Sequence, residues 1–299
     1  MTSTACVGVA IPTYKRGVTI LSTLARVCSC DPMPAEIWVH VDAADGCLEA
    51  RLKTEFPSVN ILTSPARLGP GGGRHRCLLT CKSPYVVSFD DDSYPVDSDF
   101  FGKVVELFSR LPRAAVVGAT IWHRHQNILP RTEKFILVPS YTGCGYAIRL
   151  SAYREIRGYL PRPVAYGMEE TDVALQFFAA GWELYHAGSL RVFHDTDLAH
   201  HASPEIVSGY IANVGLFAFL HYPVIRWYRG LLQVLSVVVF SFRMGRIRGI
   251  GSGLYRIALD CYNNRHHRKP IAWETLRRFL HFRRTDAEPK LWLLGADDH

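Results

Sequence analysis

The chain has 299 residues, of which 48% are hydrophobic and 20% are charged, and it contains no internal repeat. This composition indicates a globular protein with a sizeable core and excludes a disordered chain. The net charge is +7, but residues 210–299 contain 14 Lys and Arg against 6 Asp and Glu, whereas residues 1–209 contain 20 against 21. Because the excess base lies beside long apolar runs, it suits an anionic membrane surface better than a nucleic-acid groove.

The cysteines and the N-terminus indicate the compartment. Eight cysteines are too sparse for a disulfide scaffold, and no Cys-x-x-Cys pair suggests zinc. The segment Met1–Cys6 is short and polar, so we predict no signal peptide. We expect a cytoplasmic protein, or one peripheral at the inner face of the membrane, with its cysteines as small core residues.

Residues 6–200 alternate short β-branched runs with helical stretches. The predicted strands are Cys6–Ile11, Glu36–Val41, Val59–Thr63, Tyr85–Phe89 and Ala114–Ile121. The predicted helices are Val18–Cys28, Leu48–Thr54, Gly73–Cys81 and Phe100–Arg110. This alternation predicts an α/β fold with a mostly parallel sheet flanked by helices, in which ligands bind at the carboxyl ends of the strands.

The pattern becomes helical after residue 202. Ser203 suits a helix cap, Pro204 the first turn, and Glu205 the positive end of the helix dipole. The helical pattern continues to about Tyr262, with a break at Pro223. We therefore predict a catalytic domain over residues 1–202 and a helical C-terminal region over residues 203–299.

The most apolar run of that region is Leu231–Phe242, which is shorter than the ~20 residues that a membrane span requires. Five arginines flank this run: Arg226, Arg229, Arg243, Arg246 and Arg248. This pattern predicts a helix that lies in a membrane interface, so residues 222–248 are a candidate for peripheral membrane contact. A core helix or a helix in a homo-oligomer interface would produce the same pattern.

The segment Tyr85–Phe89 runs directly into Asp90, Asp91 and Asp92. Three adjacent carboxylates repel one another unless a cation or solvent relieves the repulsion. Carboxylate oxygens at the end of a buried strand suit Mg²⁺ or Mn²⁺, although a solvated acidic turn would have the same sequence.

Three further segments carry candidate chemistry. Glu169, Glu170 and Asp172 begin a predicted helix, where a carboxylate could act as a general base or only favour the helix dipole. His194 follows a short strand and is a packing residue or a metal ligand. The glycine-rich segment Gly69–Arg76 could let the backbone approach a diphosphate, although it is not a P-loop.

In chain order these segments resemble the family 2 glycosyltransferases of the GT-A fold, over roughly residues 7–201. The matching segments are Val7–Arg16, Val39–Asp42, Gly69–Arg76, Asp90–Asp92, Gly143–Arg149, Glu169–Asp172 and His194. The resemblance implies a Rossmann-like sheet that binds a nucleotide sugar through about residues 1–95 and an acceptor through about residues 96–202.

The resemblance also implies a role for each matching residue. The residues implied to bind the nucleotide are Pro12, Thr13, Tyr14, Asp42, Arg74, Asp90 and Asp91. The donor sugar and the acceptor would be lined by Gly143, Gly145 and Glu169. A divalent metal, Mn²⁺ or Mg²⁺, would be held by Asp92 and His194.

Two positions depart from the family pattern. An Asp pair is usual after the second strand, and here Asp42 is followed by Ala43. The catalytic Asp of the family is replaced by Glu170, which is one methylene longer. Either Glu170 or Asp172 is therefore the expected base, and we favour Glu170.

The activity that the resemblance implies is inverting sugar transfer from a nucleotide diphosphate sugar to an acceptor hydroxyl. UDP-sugars are the default donors and dTDP-sugars the next choice. A glycan or lipid-linked acceptor would place the enzyme in cell-surface glycan, glycolipid or polysaccharide biosynthesis. A sugar-phosphate nucleotidyltransferase is the alternative, and a basic nucleic-acid-binding protein is a remote one.

Overall fold

A computed structural model of the chain describes residues 4–162, 167–196 and 203–285. The described residues form two compact units, one of residues 4–162 and 176–196 and the other of residues 167–175 and 203–285. The sequence predicts a single boundary near residue 202. The structure instead groups residues 167–175 with the helical C-terminal region, because Gly167 and Asp172 contact residues of its first helix.

The first unit contains a nine-stranded sheet. Its strands are β1 (Thr4–Thr13), β2 (Met33–Val41), β3 (Asn60–Thr63), β4 (Tyr85–Phe89), β5 (Ser93–Pro95), β6 (Ala114–His123), β7 (Phe135–Leu137), β8 (Gly145–Arg149) and β9 (Glu183–His194). Its helices are α1 (Gly17–Cys28), α2 (Gly46–Glu55), α3 (Gly69–Thr80), α4 (Phe100–Arg110) and α5 (Leu150–Tyr153). Helix α6 (Glu169–Ala179) begins in the residues of the second unit and ends in those of the first.

The strand order is β3-β2-β1-β4-β8-β6-β9-β5, with β7 paired to β9. The α/β fold is confirmed, and the sheet is mixed, with six of its nine strands (β1 to β4, β6 and β9) running in one direction. Strands β1 to β4 form a parallel half, whereas β8 runs antiparallel to both β4 and β6, and β5 and β7 run antiparallel to β9. The parallel half places the carboxyl ends of β1, β2 and β4 at one edge.

The glycine-rich segment is helical and not a loop, which corrects the expected start of α3 at Gly73. Helix α3 begins at Gly69, whose φ of 74° favours glycine. A Cβ on Gly73 would lie 2.7 Å from Nδ1 of His40 and 3.0 Å from Cβ of Pro12. Gly73 therefore lets α3 pack directly against the ends of β1 and β2.

The second unit is helical, as predicted. Its long helices are α7 (Pro204–His221), α8 (Trp227–Arg243), α9 (Ile250–Asn263) and α10 (Trp273–Thr285). Ser203 caps α7, because its Oγ accepts a hydrogen bond of 3.3 Å from the backbone N–H of Ile206. The break expected at Pro223 is confirmed, since α7 ends at His221 and a 3-10 turn precedes α8.

Helix α7 is the centre of this unit, because most of its residues are buried on every side of the helix. Glycines allow close contact between α7 and α9. A Cβ on Gly215 would lie 2.7 Å from the side chain of Ile257, and a Cβ on Gly253 would lie 2.9 Å from that of Ile211. Helices α8 and α9 therefore cover α7, and each turns its other face outward.

The outer faces of α8 and α9 are apolar and exposed. Leu231 is 70% exposed, Leu235 is 55% exposed, and Tyr255 on α9 is 73% exposed. Within the described residues, Val224–Arg243 is the one helical segment whose length and composition would allow it to cross a membrane. This helical segment is longer than the apolar run Leu231–Phe242 that the sequence indicated.

Candidate active site

The expected nucleotide and metal residues of the first unit come together at the carboxyl ends of β1, β4 and β9. Strands β1 and β4 are parallel neighbours, so Thr13 and the Asp90–Asp92 triplet follow adjacent strand ends. Strand β5 begins directly after the triplet and pairs with the end of β9, which places Ser93 opposite His194. Residues far apart in sequence therefore meet at one edge of the sheet.

Asp91 is buried and bound by the end of β1. Its Oδ2 accepts a hydrogen bond of 2.8 Å from Oγ1 of Thr13, and its Oδ1 lies 3.3 Å from Nη1 of Arg16. Burial raises the pKa of Asp91 to about 6, against the opposing effects of Arg16 and Thr13. Asp91 thus fixes the triplet to β1.

Asp92 and His194 form the pair that was expected to hold a metal. Nε2 of His194 lies 3.1 Å from Oδ1 of Asp92, and Nη1 of Arg16 lies 2.5 Å from Oδ2 of Asp92. Burial opposes the charge on Asp92, but His194 and Arg16 outweigh it and hold its pKa below the usual range. Burial also opposes protonation of His194, yet its contact with Asp92 raises its pKa to about 11.

This pair fits a divalent metal. A divalent ion held by Asp92 and His194 would take the place of the proton in their 3.1 Å contact, and two neighbouring ligands of such an ion lie ~3 Å apart. Two more donors lie close by, since single ligand atoms of Asp90, Cys144 and His194 are all within 4.8 Å of one another. Carboxylate donors suit Mn²⁺ and Mg²⁺, whereas the imidazole of His194 and the thiol of Cys144 are softer donors.

Arg74 joins the Asp triplet to the segment before β8. It is buried, its guanidinium pairs with Oδ1 of Asp90, and its Nη2 donates a hydrogen bond of 3.0 Å to the carbonyl oxygen of Gly143. Its Nε also donates a hydrogen bond of 3.1 Å to Oγ of Ser88 on β4. Arg74 therefore fixes the position of Gly143 beside Asp90.

Asp42 holds the start of α3. Its Oδ1 accepts hydrogen bonds from Oγ of Ser64 (2.9 Å) and the N–H of Leu68 (2.8 Å), and its Oδ2 accepts one from the N–H of Gly69 (2.9 Å). Recognition of a nucleotide base by Asp42 stays a prediction, because this carboxylate already organises the chain that follows β3.

Three other expected residues lie at the carboxyl end of β1 and the amino end of β8, which meet at the same edge of the sheet. Pro12 is buried against Gly73, and Tyr14 is half-buried with the guanidinium of Arg67 4.5 Å from its ring centroid. Gly145 begins β8, where a Cβ would lie 2.9 Å from Ile121 and 3.0 Å from Val192. Gly145 is therefore required by close packing against β6 and β9.

The expected catalytic residues begin α6, in the second unit. Glu169 is buried and Glu170 is half-buried. Asp172 is 1% exposed, and its Oδ1 lies 2.5 Å from Nε2 of His221 on α7. A carboxylate enclosed in such a pair is poorly placed to receive a proton from a substrate.

The backbone before α6 is strained and anchored to α7. Gly167 and Met168 both have positive φ, of 67° and 69°, which is unfavourable for Met. The carbonyl oxygen of Gly167 accepts a hydrogen bond of 3.2 Å from Nδ2 of Asn213 on α7. Together with the Asp172–His221 pair, this contact fixes the turn that carries Glu169 and Glu170.

Three residues of these sites were not predicted as site residues. Arg16 and Cys144 lie inside segments that carry the family resemblance, but no spacing rule relates them to Asp92 or His194. His221 lies at the end of an apolar helix, 49 residues after its partner Asp172. The sequence itself offers no signal that pairs His221 with Asp172.

Comparison with known proteins gives one family match and several similar folds. Residues 8–164 match glycosyl transferase family 2. A search of curated proteins finds no match to the chain.

The chain is similar in structure to GalNAc-T7, crystallised with UDP, GalNAc and Mn²⁺, at 16% identity and a TM-score of 0.59 over 88% of this chain and 58% of that one. It is similar to the mannosyltransferase PcManGT from Pyrobaculum calidifontis, in complex with GDP-Man and Mn²⁺, at 12% identity and a TM-score of 0.57 over 98% and 83% of the two chains. Residues 1–349 of S. aureus TarS, in complex with UDP-GlcNAc, match at 12% identity and a TM-score of 0.52 over 88% and 92%.

At these identities the similarity establishes the fold alone, and the chain spans 58% of GalNAc-T7. The fold is that of the GT-A glycosyltransferases. The family match covers more than half of the 299 residues, from β1 through β8 and α5. The chain therefore belongs to glycosyl transferase family 2.

Proposed function

We propose that this enzyme transfers a sugar from a nucleotide diphosphate sugar to an acceptor hydroxyl with inversion at the anomeric carbon. The observation that carries the proposal is the Asp92–His194 contact of 3.1 Å at the edge of a GT-A sheet, with Asp90 and Cys144 close to His194. When bound there, Mn²⁺ or Mg²⁺ would neutralise the charge that develops on the departing diphosphate.

The residues around the pair support this assignment. Asp92 and His194 would hold the ion, and Asp91 would stay bound to Thr13 and keep the triplet in place. Arg16 bridges Asp91 and Asp92 with a half-exposed side chain, so its guanidinium could move to a phosphate oxygen of the donor. The pyrophosphate and ribose would lie beside Asp90, Asp91 and Arg74.

We assign Glu170 as the general base that removes the acceptor proton. The support for Glu170 over Asp172 is burial, since Asp172 is enclosed with His221 whereas Glu170 is half-buried. The neighbouring Glu169, with Gly143 and Gly145, would line the donor sugar and the acceptor. A single displacement by the activated hydroxyl forms no sugar–enzyme bond and inverts the anomeric centre.

For the donor we propose a UDP-sugar first and a dTDP-sugar second, bound by Pro12, Thr13, Tyr14 and Asp42. Two of the similar structures contain UDP or a UDP-sugar, and one contains GDP-Man. The family match favours sugar transfer over the nucleotidyltransferase and nucleic-acid-binding alternatives.

We propose that the second unit binds the surface of an anionic membrane and that the acceptor is a glycan or a lipid-linked molecule. The exposed apolar side chains of α8 and α9 would enter the interface, and the flanking arginines would contact headgroups. Residues 203–285 contain 13 Lys and Arg against 3 Asp and Glu, a charge that complements anionic lipid. These features support a peripheral enzyme of surface-glycan synthesis on the cytoplasmic side of the membrane.

The activity is tested in two steps. Nucleotide diphosphates are first screened with Mn²⁺ or Mg²⁺ by thermal shift, and the sugars of the stabilising nucleotides are then assayed for transfer and slow hydrolysis. We expect stabilisation by a nucleoside diphosphate only with metal, and a product of inverted anomeric configuration by NMR. A product with retained configuration would contradict the single displacement.

A further inference from the structure

The second unit contains a basic pocket that the proposed sugar transfer does not use. The pocket has a volume of about 310 Å³. Its polar and aromatic lining is Arg229, Trp273, Arg277, Arg278, His281 and Arg284. Arg229 comes from the first turn of α8, and the others come from α10.

The α10 side of this pocket is one face of an amphipathic helix. Arg277, His281 and Arg284 are four and three residues apart, so they project from the same side and are exposed. Leu276 and Phe279 on the opposite side are buried. The packing of α10 therefore directs its basic face outward.

The charges of the pocket are arranged for an anion. Four guanidiniums and one imidazole line it, and carboxylates are absent from its lining among the described residues. Glu274 pairs with one of the four, Arg277, at 2.8 Å. Like charges gathered around one cavity repel one another, and an anion that accepts their hydrogen bonds relieves that repulsion.

Trp273 contacts two guanidiniums beside the pocket. The guanidinium carbons of Arg226 and Arg229 lie 4.8 Å and 5.0 Å from the centroid of the Trp273 ring. Such cation–π contacts orient a guanidinium and reduce the freedom that it loses on binding a ligand. The pocket is therefore partly ordered before an anion arrives.

The apolar surface of α8 begins beside this pocket. Leu231 and Leu232 follow Arg229 by two and three residues and are 70% and 57% exposed. A ligand that fills both features carries a compact anion next to an apolar chain. We propose that the pocket binds the phosphate group of an anionic lipid headgroup, an inference that rests on the membrane binding proposed above and adds a headgroup preference to it.

The test compares two kinds of vesicle with equal negative surface charge, one containing phosphatidic acid and the other a fatty-acid carboxylate, in the same phosphatidylcholine. Full-length protein is sedimented with each kind. The pocket variant is Arg229→Gln with Arg284→Gln, and the matched control is Arg246→Gln with Arg248→Gln, which removes the same charge from the same unit outside the pocket. Thermal unfolding verifies that both variants fold.

We expect wild-type protein to prefer the phosphate vesicles on the order of tenfold, since the phosphate of phosphatidic acid offers three acceptor oxygens to the guanidiniums and a carboxylate offers two. The pocket variant should lose this preference, whereas the control variant should bind both kinds more weakly and keep it. Equal binding of wild-type protein to both kinds, or the same preference in both variants, would overturn the phosphate site. Equal binding would leave the proposed membrane binding intact. If wild-type protein binds neither kind of vesicle, both the membrane binding and the phosphate site are overturned.

A second arm distinguishes a lipid from a free anion. A water-soluble short-chain phosphatidic acid and inorganic phosphate are each titrated against vesicle-bound protein. If the short-chain lipid displaces the protein from vesicles at a much lower concentration than inorganic phosphate does, the proposal is supported. If both displace it at the same concentration, the pocket binds free phosphate and the lipid proposal is overturned. Hydrolysis of a soluble nucleotide sugar should be unchanged in the pocket variant. This assay therefore distinguishes a failure of the phosphate site from a failure of the transfer reaction.

Discussion

Asp172 and His221 form a buried pair in which Oδ1 of the acid lies 2.5 Å from Nε2 of the imidazole, and both side chains are 2% exposed. The pair joins the first turn of α6 to the last turn of α7. Asp172 therefore has a structural partner, whereas Glu170, two residues earlier, is half-buried.

Replacing Asp172 by Asn should destabilise the protein. Weakening a buried hydrogen bond so that one partner is left unsatisfied costs roughly 1–3 kcal/mol of unfolding free energy, and urea unfolding would measure it. The Glu170→Gln variant is the control and should change this free energy by less than ~1 kcal/mol. If Asp172→Asn were fully stable and yet inactive, Asp172 would be the base.

Replacing Glu170 by Gln should slow transfer by roughly 10²-fold or more, the usual effect of removing a general base. Binding of metal and nucleoside diphosphate should be retained, because the residues that would hold them are in the first unit. Turnover and calorimetric binding of the diphosphate are the two measurements. Normal turnover in this variant would exclude Glu170 as the base.

Replacing Asp92 by Asn should remove transfer and weaken Mn²⁺ binding about tenfold or more, since a charged ligand is lost. Titration of free Mn²⁺ by electron paramagnetic resonance, with a nucleoside diphosphate present, measures the binding. Asp99→Asn removes a more exposed carboxylate of the same unit, 44% exposed, and should leave binding unchanged. Undiminished turnover in excess chelator would contradict metal dependence.

Replacing Glu36 by Gln should destabilise the protein in a pH-dependent way. Burial opposes the charge on Glu36, but hydrogen bonds from Trp38, Ser83 and the Lys82 N–H outweigh it and lower its pKa to about 2. A lowered folded-state pKa stabilises the protein fully above the unfolded value of about 4.3, and this contribution is lost as the pH falls toward 2.

Wild type and Glu36→Gln should therefore differ by about 1 kcal/mol in unfolding free energy at pH 7, allowing for the partial exposure of the carboxylate. The difference should shrink at pH 4 and again at pH 3. Glu106→Gln, which removes a surface partner of Lys103, should have little effect at any pH. A difference that does not vary with pH would contradict the lowered pKa.

Replacing Leu231 and Leu235 by Ser should weaken binding to anionic vesicles by about tenfold or more, because apolar area that enters the interface is lost. Co-sedimentation at low and high salt measures it, and salt should weaken wild-type binding. Leu79→Ser, at a leucine of the first unit that is 55% exposed, is the control. The membrane assignment is wrong if wild-type protein does not bind anionic vesicles at low salt. It is also wrong if wild-type protein is a dimer and the double variant is a monomer.

The local pattern of the sequence predicts most of the first unit. Strand Tyr85–Phe89 and helix Phe100–Arg110 have the predicted bounds, because strong hydrophobic periodicity and clear ends define them. Strands β5 and β7 are three residues long and have no pattern of their own. Their pairing with β9, and with it the mixed sheet, depends on contacts that local sequence does not encode.

The site follows the same division. Asp92 and His194 were matched through family motifs, and the structure brings them to 3.1 Å. The partners Arg16 and His221 reach the site residues across 76 and 49 positions of sequence, so only the folded chain relates them. The sequence places the start of α3 too late, because three consecutive glycines disfavour a helix locally. In the fold, the close approach of His40 requires a glycine at position 73.

The burial of α7 on all sides sets a limit on how far the chain can be shortened. Gly215 of α7 packs against Ile257 of α9, and Gly253 of α9 packs against Ile211 of α7. Helix α9 therefore covers an apolar surface of α7. A chain that stops before residue 250 would leave this surface bare, and we expect it to aggregate even if its sheet is intact. Since α7 also carries Asn213 and His221, such a chain would lose the support of the turn before α6. The helical tail is thus needed to hold the turn that carries Glu169 and Glu170.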